Sequence, residues 1–152
     1  MLRKAGRWIN FDNFKIKLIF VGFLSIFLLS ACSSQQKYTS VIEAIKSEGI
    51  NATSIDSPKE TELNDIKPLS YKLDNNEIIR VYDFGSKEKR ELGNKRFQEH
   101  QQPLSSYAPI VYQPSHYLVL YYSNVNNSKT ATPKLTETKH GEKIQKAMNI
   151  IE

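Results

Sequence analysis

Six consecutive apolar or aromatic residues at 117–122, YLVLYY, constrain the fold of this chain more than any other stretch. A run of this length and composition, preceded by the turn-forming residues 113–116, predicts a central β-strand. Ile110-Val111-Tyr112 comes just before the same turn and predicts the first arm of a hairpin. We therefore expect this hairpin to form the middle of the hydrophobic core.

A second hairpin is predicted over residues 71–84, with Asp74-Asn75-Asn76 as its turn and residues 77–84 as its longer arm. The β-branched and aromatic content of that arm favours a strand over a helix. Apolar side chains occupy both of its alternating faces, so neither face can be assigned to solvent. A sheet covered on both sides would resolve this conflict.

Two short helices are predicted before the hairpins. Ser40 and Glu43 have the spacing of a capping box, and Gly49 is placed to end the first helix in the left-handed conformation. Ser57-Pro58 repeats the start signal for a second helix. Residues 50–55, between the two, are a candidate short strand.

A charged helix is predicted over residues 87–100, with Ser86 as its N-cap. Leu92 and Phe97 are its expected inward contacts. The basic residues of this segment alternate with acids, which is typical of a solvated helix face rather than of a nucleic-acid interface.

The C-terminal part combines a polar linker with an amphipathic helix. Residues 123–134 are rich in Asn, Ser, Thr and Lys and predict an exposed linker. One helical stripe follows at the spacing i, i+3, i+4 and i+7, formed by Ile144, Ala147, Met148 and Ile151. We expect this helix to dock on its own sheet, with docking on a partner as the alternative. The resulting fold class is α+β, a small antiparallel sheet of two hairpins with three to four helices packed on it.

The N-terminal segment has the order of an export signal. Its basic residues precede an uncharged stretch at 18–29, and they are Arg3, Lys4, Arg7, Lys15 and Lys17. As a helix, residues 18–32 would reach only about 22 Å, short of the roughly 30 Å hydrocarbon core of a bilayer. A stable membrane span is therefore disfavoured.

Cys32, the only cysteine of the chain, directly follows this apolar stretch in the sequence Leu29-Ser30-Ala31-Cys32. The small residues Ser30 and Ala31 give a peptidase access to the bond before Cys32. The pattern is similar to a bacterial lipobox, in which the cysteine thiol receives a diacylglyceryl group and becomes the first residue after cleavage. An ordinary cleaved signal and a retained membrane anchor are the alternatives. An intramolecular disulfide is impossible, because there is no second cysteine.

Removing residues 1–31 changes what the composition implies. The full chain has 21 Lys and Arg against 16 Asp and Glu, but five of the basic residues and one acid lie in this segment. The remaining 16 and 15 give a net charge of +1, which argues against a nucleic-acid partner. We divide the chain into a lipoprotein signal peptide (1–31), a lipidated tether (32–39), a core domain (40–122) and a C-terminal part (123–152).

The sequence contains no motif for a reaction, cofactor or metal. Its histidines, His100, His116 and His140, lack metal-ligand spacing, and we expect them to be exposed or in turns. Neither a phosphate-binding loop nor a G-x-S-x-G motif is present. Asp83 is the acid with the best prospect of partial enclosure, with a strand-end hydrogen bond as its expected role. We therefore predict that the protein is not an enzyme.

Tyrosines are the remaining candidates for a functional surface. Those on neighbouring predicted strands would form a flat aromatic surface for protein or glycan contacts if they point away from the core. Cross-strand packing within the sheet is the favoured alternative. The residues concerned are Tyr82, Tyr112, Tyr117, Tyr121 and Tyr122.

The chain resembles a small lipoprotein family of low-GC Gram-positive bacteria that has no assigned function. The resemblance rests on residues 29–32, on EAIKSEGI from Glu43, on YKLDNNEIIRVYDFGS from Tyr71 and on YLVLYYS from Tyr117. It implies a lipid-anchored protein on the outer face of the cell membrane, with no catalytic residues to carry over. We expect an interaction module that contacts an envelope protein or the wall. A small-ligand carrier or sensor associated with a membrane transporter is the alternative.

Overall fold

The computed structural model describes residues 36–100, 108–125 and 132–152. The predicted signal segment, with Ala31 and Cys32, lies outside the described residues, as does the first half of the tether, residues 32–35. Residues 126–131 of the predicted linker also lie outside them.

One antiparallel sheet of five strands organises the described part of the chain. In chain order, the strands are β1 (Ala52–Ile55), β2 (Leu69–Leu73), β3 (Ile78–Asp83), β4 (Ile110–Tyr112) and β5 (Tyr117–Tyr122). Their spatial order is β1-β2-β3-β5-β4. The α-helices of the described residues are α1 (Val41–Ser47), α2 (Lys87–His100) and α3 (Gly141–Met148). The α+β class is therefore confirmed, with β1 as a fifth strand besides the two hairpins.

Both predicted hairpins are present. In the first, Leu69 lies opposite Val81 and Tyr71 opposite Ile79. Its turn includes Asn76, whose φ of 66° lies in the left-handed region that asparagine tolerates. In the second, β4 and β5 pair from Ile110 to Tyr112, and β5 also pairs along its full length with β3.

The sheet is covered on both sides, as the mixed pattern of β3 predicts. The side that bears Val119 and Tyr121, here called the first face, packs against α1 and α3. The second face bears Leu118 and Leu120 and packs against Phe97 of α2. All four of these β5 side chains are fully buried. β5 is thus the central strand of the core.

Helix α1 is confirmed and begins directly after Ser40, as predicted, but the predicted side-chain capping is missing. Ser40 is its N-cap in an extended conformation, but the Ser40 side chain makes no capping hydrogen bond, so the predicted capping box is wrong. Gly49 has a φ of 73°, as predicted for the residue that ends this helix. Val41, Ala44 and Ile45 are buried against the first face.

The second predicted helix is only a 3₁₀ turn, Lys59–Thr61. Ser57 does not cap it, because its hydroxyl donates instead to the Pro68 carbonyl at 2.6 Å. The Ser57 Oγ also lies 2.6 Å from the Ser70 Oγ, and both side chains are buried. Ser57 therefore ties the segment before the turn to β2.

Helix α2 has the predicted bounds, and its N-cap is confirmed because the Lys89 N–H donates to the Ser86 Oγ at 3.3 Å. Phe97 is half-buried against the second face, as predicted. The prediction that Leu92 points inward is wrong, since 62% of this residue is exposed. The buried residues of α2 are Arg90, Gly93 and Asn94.

Helix α3 docks on its own sheet. Ile144, Ala147 and Met148 are buried in the same cluster as Val119. The helix ends at Met148, so the fourth residue of the predicted stripe, Ile151, lies beyond it and forms a parallel bridge with Tyr38.

Replacement of Gly93 by alanine tests the packing of α2. A Cβ at this position would overlap the Phe84 ring. We expect Gly93→Ala to lower the free energy of unfolding by about 1–3 kcal/mol, even though alanine favours a helix by up to about 1 kcal/mol. Urea unfolding measures the change. The control Leu92→Ala, one position earlier and exposed, should stay within about 0.5 kcal/mol of the native protein.

Candidate interaction groove

The five tyrosines predicted for a binding surface do not share an exposed face. Tyr82, Tyr112 and Tyr121 are almost fully buried, and each hydroxyl donates a hydrogen bond inside the protein. The acceptors are, in that order, the Thr61 carbonyl, the Gly141 carbonyl and the Glu77 carboxylate. Tyr117 packs on the first face and Tyr122 on the second, and both are half-buried. The candidate flat aromatic surface is therefore not formed, and packing within the sheet, the favoured alternative, accounts for most of these side chains.

An open apolar groove lies instead at one end of the first face. Its sheet wall comes from the start of β2 and β5 and the end of β3, and its helix wall from Val41 and Ile42 of α1. The groove has a volume of about 170 Å³. The sheet residues that line it are Leu69, Tyr71, Val81, Asp83 and Tyr117.

The groove exists because α1 is too short to cover the sheet. Its seven residues span roughly 10 Å, whereas a six-residue strand spans roughly 20 Å. One end of the first face therefore has only the first turn of α1 and the segment with Ile66 and Lys67 beside it. Leu69 is 62% exposed there, although Val81, directly opposite on β3, is buried. The sequence suggests no such gap, because Leu69 has the same strand pattern as core residues.

The two ends of the described chain meet beside this groove. The Tyr38 N–H donates to the Ile150 carbonyl at 3.0 Å, and the Glu152 N–H donates to the Tyr38 carbonyl at 3.2 Å. The Tyr117 hydroxyl, in the groove wall, donates to the Thr39 carbonyl at 2.9 Å. We call this set of contacts the terminal clasp. It fixes the point from which the chain continues towards Cys32.

Asp83, which lines the groove, lies near His116 and Ser115, but the three side chains do not have the geometry of a catalytic triad. The His116 Nε2 is 3.4 Å from the Asp83 Oδ1, and the Ser115 Oγ is 3.3 Å from the His116 Nδ1. Both separations exceed the usual hydrogen-bond range for such groups. Asp83 is exposed rather than enclosed, and its carboxylate accepts the Gly85 N–H at 2.9 Å. The predicted strand-end hydrogen bond is confirmed, and the predicted enclosure is wrong.

The acid that is enclosed is Glu77, which the sequence pattern does not single out. It is 2% exposed, and its carboxylate accepts hydrogen bonds from the Tyr121 hydroxyl and from the Asn124 N–H. These partners lie 44 and 47 residues away in sequence. Glu77 therefore joins the turn of the first hairpin to the end of β5, at the far end of the sheet from the groove.

His140 lies near that turn and is buried, so the expectation of exposed or turn histidines is wrong for it. Its Nε2 is 2.9 Å from the Asp74 Oδ1, and Lys139 contacts the same oxygen at 3.2 Å. The hydrogen bond from His140, with Lys139 second, holds the pKa of Asp74 below its usual value. Within the described ranges, no group of three or more histidine, cysteine or acidic side chains is arranged to hold a metal ion.

Among the helices of the described residues, none combines the length and apolar content that a bilayer crossing requires. Comparisons of the chain with protein-family models, with curated protein sequences and with solved structures gave no match. The candidate site therefore rests on the geometry of the groove.

The buried tyrosines predict a loss of stability at alkaline pH. Burial raises the pKa of Tyr82, Tyr112 and Tyr121, and the Glu77 carboxylate raises that of Tyr121 further. The tyrosines of the unfolded chain ionise near pH 10, whereas the buried ones stay protonated to higher pH. Their contribution to the free energy of unfolding is therefore complete below about pH 10 and is lost as the pH rises above it. The slope is about 1.4 kcal/mol per pH unit for each group.

Urea unfolding across this pH range, with tyrosinate absorbance as the signal, measures that slope. Tyr121→Phe should reduce it by the contribution of one group. A free energy of unfolding that stays constant between about pH 9 and pH 12 would show that these hydroxyls are not protected as described.

Proposed function

We propose that the protein is a lipoprotein, anchored by a diacylglyceryl group on Cys32 to the outer face of the cell membrane. The support is the order of basic residues, apolar stretch and lipobox-like sequence that ends at Cys32. Two acyl chains hold a protein on a bilayer far more firmly than one. The same sequence pattern supports membership of the small lipoprotein family that the chain resembles.

We further propose that the anchored domain is a non-enzymatic interaction module of the envelope, and that the groove is its binding site. The observation that carries this proposal is the exposure of Leu69 beside buried Val81 at an uncovered end of the sheet. Apolar side chains at protein interfaces commonly fill such concave sites. The separations of 3.4 Å between His116 and Asp83 and 3.3 Å between Ser115 and His116 are longer than typical catalytic hydrogen bonds, which supports a non-enzymatic role.

A small-ligand carrier or sensor, serving a membrane transporter, is the second candidate. Two tyrosines, Tyr71 and Tyr117, line the groove, as such a site would require. Ligand pockets usually enclose about 300–1,000 Å³, whereas the groove has about 170 Å³. Its size favours docking of a side chain over enclosure of a metabolite. A thermal-shift screen with metabolites, metals and glycans would support the carrier if any of them stabilised the protein.

The anchor is tested by expression of the full chain and a Cys32→Ala variant in a Gram-positive host. The native protein should be found in the membrane fraction with the mass of a diacylglyceryl group on Cys32. The variant should lack this mass and should not be processed at the bond before residue 32. An unmodified sulfur in the membrane-bound native protein would contradict the proposal.

The binding site is tested by chemical crosslinking in intact membranes and purification of the protein. Leu69→Asp should reduce recovery of crosslinked partners on the order of tenfold, the effect of losing one central contact. Leu92→Asp is a matched control, because Leu92 is also 62% exposed but lies on α2, which covers the second face. Equal recovery from the two variants would contradict the assignment of the groove.

A further inference from the structure

The terminal clasp sets how many residues of sequence separate the groove from the proposed anchor. Tyr38 is held by hydrogen bonds to Ile150 and Glu152, and Lys37 pairs with the Glu152 carboxylate at 2.8 Å. The next residue, Thr39, accepts the hydrogen bond from Tyr117 in the groove wall. The groove therefore begins one residue after the clasp, at Ser40.

The chain between the anchor and the clasp is short. Tyr38 is six residues after Cys32, so even a fully extended segment spans at most roughly 22 Å. A flexible segment of this length has a root-mean-square span of roughly 14 Å. If Cys32 is lipidated, any partner that fills the groove has to present its contact surface close to the lipid headgroups.

The residues that line the groove favour a membrane protein over membrane lipid as its occupant. The charged residues that line it are Lys67 and Asp83, one of each sign. An anionic lipid surface is bound by clusters of basic residues, and this pair does not provide one. A lipid tail would also have to leave the hydrocarbon core to reach a concave site above it. The transfer free energy is unfavourable for every methylene group that becomes exposed to water.

An exposed apolar side chain on a protein gains contacts in such a site without that loss. Resting on the proposed lipid anchor, we infer that the groove binds an apolar side chain from an integral membrane protein, on the segment that lies just outside the bilayer. The apolar residues that line this site include buried Val81, half-buried Ile42 and exposed Leu69. The partner class is thus set by the short tether and the nearly neutral rim together.

The experiment places a photoreactive phenylalanine analogue at position 69 of the full chain and irradiates intact membranes. The matched control carries the analogue at position 92. A second version of the position 69 protein has about twenty flexible Gly and Ser residues inserted after Gln35, which lowers the effective concentration at the bilayer surface by roughly ninefold. Mass spectrometry of each protein first establishes whether Cys32 is lipidated.

The inference predicts a position 69 adduct with an integral membrane protein, mapped next to a membrane-spanning segment. That adduct should be absent at position 92 and should fall roughly fivefold to tenfold with the longer tether. An adduct with phospholipid would overturn the inference in favour of direct lipid contact. An adduct with wall glycan or a secreted protein, or one insensitive to tether length, would also overturn it.

The outcome for the anchor is separate from the outcome for the groove. No adduct at position 69 from protein that is shown to be lipidated would overturn this inference and leave the anchor standing. A Cys32 without lipid would remove the proposed anchor and, with it, the basis for assigning the partner to the membrane.

Discussion

Strand β5 is buried on both of its faces, and the placement of the helices and of the chain ends follows from that burial. Residues 118–121 retain no exposed area, and each such apolar side chain stabilises the fold by about 1.5–3 kcal/mol. Because Cys32 is the only cysteine, no intramolecular disulfide adds to this stabilisation. Both faces therefore need helices, and these come from segments before, between and after the hairpins. Covering one strand thus draws both ends of the described chain onto the sheet.

The groove and the clasp are consequences of how this covering is achieved. Two short helices, α1 and α3, share the first face, and the space beyond the first turn of α1 stays open. The parallel bridge between Tyr38 and Ile151 places the N-terminal and C-terminal segments side by side. Polar contacts from the interior fix the loops: Arg90 donates to the Gln113 and Ser115 carbonyls, and Glu77 holds the other end of β5.

The sequence predicts the elements of this fold better than its site, and the reason is the range of the interactions involved. Strand β5, both hairpins and the bounds of α2 follow from local composition and turn residues. The inward face of α2 does not follow from local composition. Gly93 faces the sheet because the helix approaches the Phe84 ring closely there, and Leu92 is exposed as a result. Buried Glu77 likewise depends on partners more than 40 residues away. The groove results from the difference in length between α1 and the strands beneath it. Local sequence patterns do not reveal this difference, because α1 and the strands are separate segments of the chain.

The hydrogen bonds of the terminal clasp matter to the proposed anchoring, because they limit the length of chain between a lipid on Cys32 and the folded domain. Tyr38 and Thr39 are bonded to the fold, so only five residues of sequence separate Cys32 from the first of them. The net charge of +1 beyond residue 31 provides little long-range steering towards any partner. Effective concentration at the bilayer surface would then replace electrostatic attraction in bringing the groove to its partner. On this reasoning, a weak contact through one apolar side chain is sufficient for a protein held at the membrane, and would be insufficient for the same domain free in solution.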